Sequence, residues 1–239
     1  MSIRNNEERT GAKQPDVSPP IPQVQQDKSQ STFSFVVPTE FVDLPSRGKY
    51  YAKDHPLHNI DSVEIKHMTA KEEDILTSRS LLKKGLAINR MLQSIIVDKR
   101  IDVNSLLVGD KNALIISSRI SAYGAEYETR VTCPVCLETS NFGFDLEELN
   151  VVHNEHFGEE TVKQGNKFVI TLPKTKVEVG VKLLDGRDEK FLSDAVTMKK
   201  KNNLPDSNLT DQFRVFIVSV NDHTDKKAIG AFIDSMPAS

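Results

Sequence analysis

The chain is 239 residues long, 38 % hydrophobic and 27 % charged, with a formal net charge of -3. So even a balance offers no basic face for a nucleic-acid footprint, no apolar run reaches the ~20 residues of a membrane span, and the polar N-terminus lacks the apolar segment of a secretory signal. Two cysteines are too few for a disulfide framework; a protein made in the cytoplasm is expected, where a C-x-x-C pair points to metal or redox chemistry.

Residues 1–32 are polar, with Pro15, Pro19, Pro20 and Pro22 close together. Too few large apolar groups are present to offset the ~1–2 kcal/mol per residue that backbone ordering costs. A disordered arm is expected, or an extended segment that orders on a partner. Order should begin near Phe33. The run Leu44-Pro-Ser-Arg-Gly48 has turn chemistry, because Pro fixes φ and Gly allows φ > 0. It predicts a loop pinning Phe41, Leu44, Tyr50 and Tyr51 onto the body, followed by a short strand from Ser62 to Lys66.

Thr69 and Glu72 stand at capping-box spacing, predicting a helix to about Lys84 that stops at Gly85 and buries Ile75, Leu76 and Leu82. Ile88, Met91, Leu92, Ile95 and Ile96 mark a second helix by their i, i+3, i+4, i+7, i+8 spacing. A third starts at Gly109-Asp110, carries Leu114, Ile115 and Ile120, and ends near Tyr123-Gly124. Alternation at Tyr127, Arg130, Val131, Phe142 and Phe144 then predicts a β-hairpin with Cys133 and Cys136 at its tip. Asp145 to Leu149 is one helical turn or the close of the strand. Strands are expected over Lys167–Leu172 and Lys176–Leu184. A helix from about Arg187 presents Leu192, Ala195, Val196 and Met198, and breaks up over Lys199–Asn203.

The last two helices share one pattern: Phe213, Phe216, Ile217 and Val220, then Ile229, Phe232, Ile233 and Met236, each led by cap residues, Ser207/Asn208 and Thr224/Asp225. The whole predicts an α+β protein: an arm over 1–32, a mainly helical subdomain over 33–125, and a β-hairpin with strands and amphipathic helices over 126–239.

Chemistry concentrates at the hairpin tip. Two thiolates on a tight turn can hold one edge of a tetrahedral zinc, and a structural site needs four ligands. His153 and His156 would complete a C-x₂-C-x₁₆-H-x₂-H set, with His55, His58 and His67 as further options. The bland reading is a hairpin whose cysteines bind no metal. Redox use is disfavoured, because strand-spaced Phe142 and Phe144 follow the pair, not a helix N-terminus that lowers a thiol pKa. Lys199, Lys200 and Lys201 read as a solvated helix end suited to the helix dipole. Neither phosphate-cradling glycine signature occurs, nor does H-E-x-x-H or G-x-S-x-G. Glu72-Glu73 and Glu147-Glu148 read as exposed neighbours and not as paired acids facing a cleft.

Taken in order, Leu44-Pro-Ser-Arg-Gly48, Met68-Thr-Ala-Lys-Glu-Glu73 with Ile75-Leu76, Ser121-Ala-Tyr-Gly124 and Cys133-Pro-x-Cys136 resemble a family of baseplate proteins. These are the hub assembly proteins or hub subunits of T-even-type contractile-tailed bacteriophages. The likeness continues through Leu172-Pro173, Leu183-Leu-Asp-Gly186 and Ile233 to Ala238. The resemblance implies a non-enzymatic structural or assembly role in the virion tail baseplate. Its partners would be other hub or wedge proteins, or further copies of itself, and not nucleic acid or membrane. It carries over no catalytic residue and no cofactor; longer relatives supply a second C-x-x-C beyond the equivalent of Met236-Pro237. The alternative is a zinc-ribbon-like binding module with a regulatory or nucleic-acid-associated role.

Overall fold

The computed structural model describes residues 36–149, 151, 161–164, 167–205 and 208–236. The expected arm 1–32, the start of order at Phe33, and His153 and His156 lie outside the described residues. The described residues form an α+β fold with seven α-helices and eight strands named below.

Strands β1 (Thr39–Asp43) and β2 (Ser62–Lys66) pair antiparallel, with Val42 opposite Val63 and Phe41 opposite Glu64. Alternation turns Val42, Val63 and Ile65 inward and leaves Phe41 exposed, so Phe41 is not pinned to the body as expected. The loop between them does bury Leu44 and Tyr51. Gly48 sits at φ +67°, and a Cβ there would come within 2.4 Å of the Ile60 nitrogen and the Leu57 carbonyl. Only glycine fits that turn.

The expected helix from Thr69 to Lys84 is two: α1 (Ala70–Thr77) and α2 (Arg79–Lys83). Ser78 breaks them with extended backbone at ψ 109° and leads the second, the cap position serine favours. The break turns Leu82 out into solvent, and Gly85 closes α2 at φ +65°. Glu72, read as exposed, is buried. Its Oε2 accepts from the Thr69 N–H and hydroxyl at 3.0 and 2.6 Å, and its Oε1 accepts from Ser94 Oγ at 2.6 Å.

Helix α3 (Ala87–Ile95) buries Met91, Leu92 and Ile95 while Ile88 stays exposed; Ile96 leaves the helix to bridge Ile65. After a 3-10 turn at Val103–Ser105, α4 (Val108–Tyr123) places Leu114 against the same core. This first core gathers Val42, Leu44, Tyr51, Leu57, Ile65, Leu92, Ile96, Leu106 and Leu114 among others.

The hairpin β3 (Glu126–Thr132) and β4 (Thr139–Asp145) follows as expected, closed by a 3-10 turn at Leu146–Glu148. Strands β5 (Thr161–Gln164), β6 (Lys167–Thr171), β7 (Glu178–Val181) and β8 (Ile217–Val220) form an antiparallel sheet in that order. Helix α5 (Gly186–Lys201) and helix α6 (Asn208–Phe216) lie between β7 and β8, and α7 (Lys226–Ser235) ends the fold.

The expected helix through Val220 therefore stops at Phe216. Ile217, Val218 and Val220 are β-branched; Ile217 and Val220 pair with β7 at Val181 and Val179, Ser219 lies opposite Gly180, and Val218 falls at a register shift. A second core joins Val179, Ile217, Ile229 and Ile233 with the partly buried Phe213, Phe216 and Phe232. The rings of Phe213 and Phe216 meet edge-on at 5.4 Å, so the two terminal helices bury their aromatic stripes within the fold. Met198 on α5 is exposed and not part of a buried face. Lys199 at the helix end forms an ion pair with Asp211 of α6, while Lys200 and Lys201 are exposed.

Candidate interaction site

The hairpin 126–145 is built to stand out from the body. Gly124 ends α4 at φ +85°, and the Arg119 guanidinium holds the root by donating to the Gly124 and Glu126 carbonyls at 2.9 and 3.3 Å. Leu146, buried just past β4, donates its N–H to the Ala125 carbonyl at 2.9 Å and closes the base. Beyond that base no residue of either strand is buried.

Period-2 alternation sorts the two faces. On one, Tyr127, Thr129 and Val131 lie opposite Phe144, Phe142 and Ser140; on the other, Glu128, Arg130 and Thr132 lie opposite Gly143, Asn141 and Thr139. The first is an apolar face. The rings of Tyr127 and Phe144 pack at 5.2 Å and those of Phe142 and Phe144 at 5.9 Å, yet Phe142 remains 56 % exposed. A two-stranded ribbon is at best marginal in water alone, and its aromatic side is left uncovered by the rest of the described chain.

At the tip, the Cys133 N–H donates to the Glu138 carbonyl and the Leu137 N–H to the Cys133 carbonyl, each at 2.9 Å, while Leu137 takes φ +59°. Both thiols are free, Cys136 exposed and Cys133 half-buried. Hydrogen bonds from the backbone N–H of Cys136, then of Val135, and from the Cys136 thiol lower the Cys133 pKa below its ordinary value. Two sulfurs on one turn are half the ligand set that a tetrahedral structural zinc site takes. Among the described residues no group of three or more His, Cys, Asp or Glu stands ready to hold a metal.

His55 and His58 serve the first core. The Leu57 N–H donates to His55 Nδ1 at 3.1 Å, which leaves Nε2 to donate to Ser105 Oγ at 2.8 Å; burial lowers the His55 pKa below its ordinary value. His58 Nδ1 lies 2.9 Å from the Tyr51 carbonyl.

The group that sequence reasoning missed is Asp110, 1 % exposed in the first turn of α4. Its Oδ1 accepts from the Ser46 N–H at 2.9 Å, and its Oδ2 from Ser46 Oγ at 2.6 Å and Tyr51 OH at 2.7 Å. Tyr51 OH in turn accepts from the Leu107 N–H at 3.1 Å; burial first, then the negative Asp110, push its pKa well above the ordinary phenol value. This network fixes the Leu44–Gly48 loop.

Asp185 caps α5, accepting from the Arg187 and Asp188 N–H groups at 2.9 Å. Gly186 packs on the Asn104 backbone, where a Cβ would meet the carbonyl at 3.1 Å. The Lys111–Glu189 ion pair at 2.6 Å ties α4 to α5. The motifs at 44–48, 69–72 and 183–186 are thus joints of the scaffold, and the two buried carboxylates they use, Asp110 and Glu72, each accept three hydrogen bonds.

No helix among the described residues is long and apolar enough to cross a membrane. A family model described as T4 bacteriophage base plate protein matches residues 37–238. No curated protein and no solved structure matches the chain.

Proposed function

The chain belongs to the T4 bacteriophage base plate protein family, and from that premise we propose that it is a structural or assembly protein of the hub region. It acts without catalysis, through contacts with neighbouring hub or wedge proteins in the virion tail. The observation that carries this reading is the apolar face of the hairpin. Fully burying a Val- or Phe-sized side chain contributes about 1.5–3 kcal/mol, and Val131, Phe142 and Phe144 keep much of that unrealised in the isolated chain. A partner surface laid over them realises it.

The buried carboxylates support a scaffold over an enzyme. Glu72 and Asp110 each accept three hydrogen bonds, which leaves neither facing a substrate. Co-expression of the tagged chain with the baseplate proteins of its own phage tests the proposal. Hub or wedge proteins identified by mass should co-purify with it; recovery of the chain alone overturns the reading.

A further inference from the structure

We propose that the groove bordered by α5, α6, β8 and α7 is a docking site for an acidic segment of a partner protein, one that carries a bulky apolar side chain among its carboxylates. The groove shares no residue with the hairpin face, and the inference does not rest on the baseplate reading.

The groove has a volume of about 530 Å³, within the ~300–1,000 Å³ of ligand pockets. Buried Ile217 and Ile229 of the second core line it, with Val215 and Val218 half-buried beside them. Phe191 of α5 also lines it and is 64 % exposed. The wall formed by α7 includes Gly230, in the interior of that helix. Glycine is a poor helix former, and nothing within the chain calls for it here. A Cβ at Gly230 would meet no atom within 4 Å, and its backbone is not left-handed. Its effect is to leave the helix backbone bare at the groove, a use of glycine where a second molecule comes close.

Charge decides what kind of molecule that is. In a chain of net charge -3, the groove is lined by three cations, Lys182, Arg214 and Lys226, against one carboxylate, Asp188. Asp188 is already engaged: Lys182 Nζ donates to its two oxygens at 2.7 Å, and the Asp185 N–H donates to Oδ2 at 3.3 Å. Arg214 meets Asp234 at 2.9 Å in a pair exposed at both ends, a kind that contributes little in water. Lys226 is exposed and has no ion pair among the described residues. The three cations stand on separate elements, just past β7, on α6 and at the start of α7. They therefore suit carboxylates spaced along a polypeptide, with an apolar side chain between them to fill the groove.

The test titrates the purified full chain against a fluorescein-labelled peptide with one phenylalanine among glutamates, read by fluorescence anisotropy. Saturable binding is expected. Alanine for the phenylalanine, or lysines for the glutamates, should weaken it at least about tenfold. G230M, which puts a side chain into the groove, and K226E, which reverses a lining charge, should each weaken it to a similar degree, while F142S/F144S leaves it unchanged. G230A should unfold at the wild-type midpoint or above it, because the added Cβ enters open space and alanine is the better helix former. No binding, equal binding of the lysine peptide, binding that G230M leaves intact, binding that F142S/F144S removes, or a lowered G230A midpoint each overturns the proposal. No baseplate protein enters this test, so its failure and that of the co-purification are separate results.

Discussion

Before Gly124 the chain buries two carboxylates, Asp110 and Glu72, in the half whose core holds Met91, Leu92 and Ile95. Some twenty residues later, in the hairpin, Tyr127, Phe142 and Phe144 stay in water. Each placement inverts the usual rule, and each calls for a compensating partner. Asp110 has its partners inside the chain, in Ser46 and Tyr51. The hairpin face has none among the described residues, and its position beyond a clamped base suits a partner from outside. A buried polar group and an exposed apolar one are thus two forms of one question: whether the complement is carried in cis or in trans.

The contrast breaks most sharply at Asp110. In D110A, three buried donors lose their acceptor, each costing about 1–3 kcal/mol. A stability loss of about 4 kcal/mol is expected, equivalent to roughly 10 °C in Tm for a domain of this size. Thermal unfolding followed by circular dichroism measures it; a loss below about 1 kcal/mol would show that the network does not hold the 44–48 loop.

Acid should weaken the same half by less. His55, Glu72 and Asp102 all have pKa values below their ordinary 6.5, 4.5 and 3.8. For His55 the cause is burial, which disfavours the cation. For the two acids burial pushes upward, and hydrogen bonds from Ser94 and Thr69, or from Asn104 and Arg187, outweigh it. A group whose pKa falls on folding binds protons more readily in the unfolded chain, so its stabilisation is complete above the ordinary value and fades as pH drops. Urea midpoints should hold near pH 7.5, begin to fall below about 6.5 as His55 titrates, and fall further below about 4.5 with the acids. A midpoint that rises between pH 7 and 4 would contradict the network.

The smallest effect on stability belongs to the hairpin. F142S/F144S, at exposed positions, should change unfolding by about 0.5 kcal/mol or less while reducing co-purification of hub or wedge proteins at least about tenfold. Cooperative unfolding lost in that variant would make the hairpin part of the core, and an undiminished yield would place the contact elsewhere.

Much of this was legible where the cause is local. The reach of Glu72 back to Thr69 spans three residues, and the hairpin follows from alternation on either side of a short turn. The role of Asp110 was not legible, because its partners lie 64 and 59 residues away and only the closed fold brings them together. Phe213, Phe216, Ile217 and Val220 satisfy a helical spacing, while Ile217 to Val220 equally suits a strand. Pairing with β7 decides between them, and no local pattern carries it. At the candidate site alternation separated an apolar from a polar side. It could not say that the apolar side faces outward, since alternation is the same whether the covering surface belongs to the chain or to a neighbour.

The passage from α6 to β8 has a consequence for how the chain tolerates changes in length. Phe216 is the last helical residue and Ile217 the first of the strand, with no linker between them; the Phe216 carbonyl is already fixed by the Lys182 N–H at 2.9 Å. In β8, Ile217 and Ser219 point inward and Val218 and Val220 are less buried. One residue inserted at that junction shifts the reading of the strand by half its period and exchanges its two faces, setting Val218 where the small Ser219 fits against Gly180.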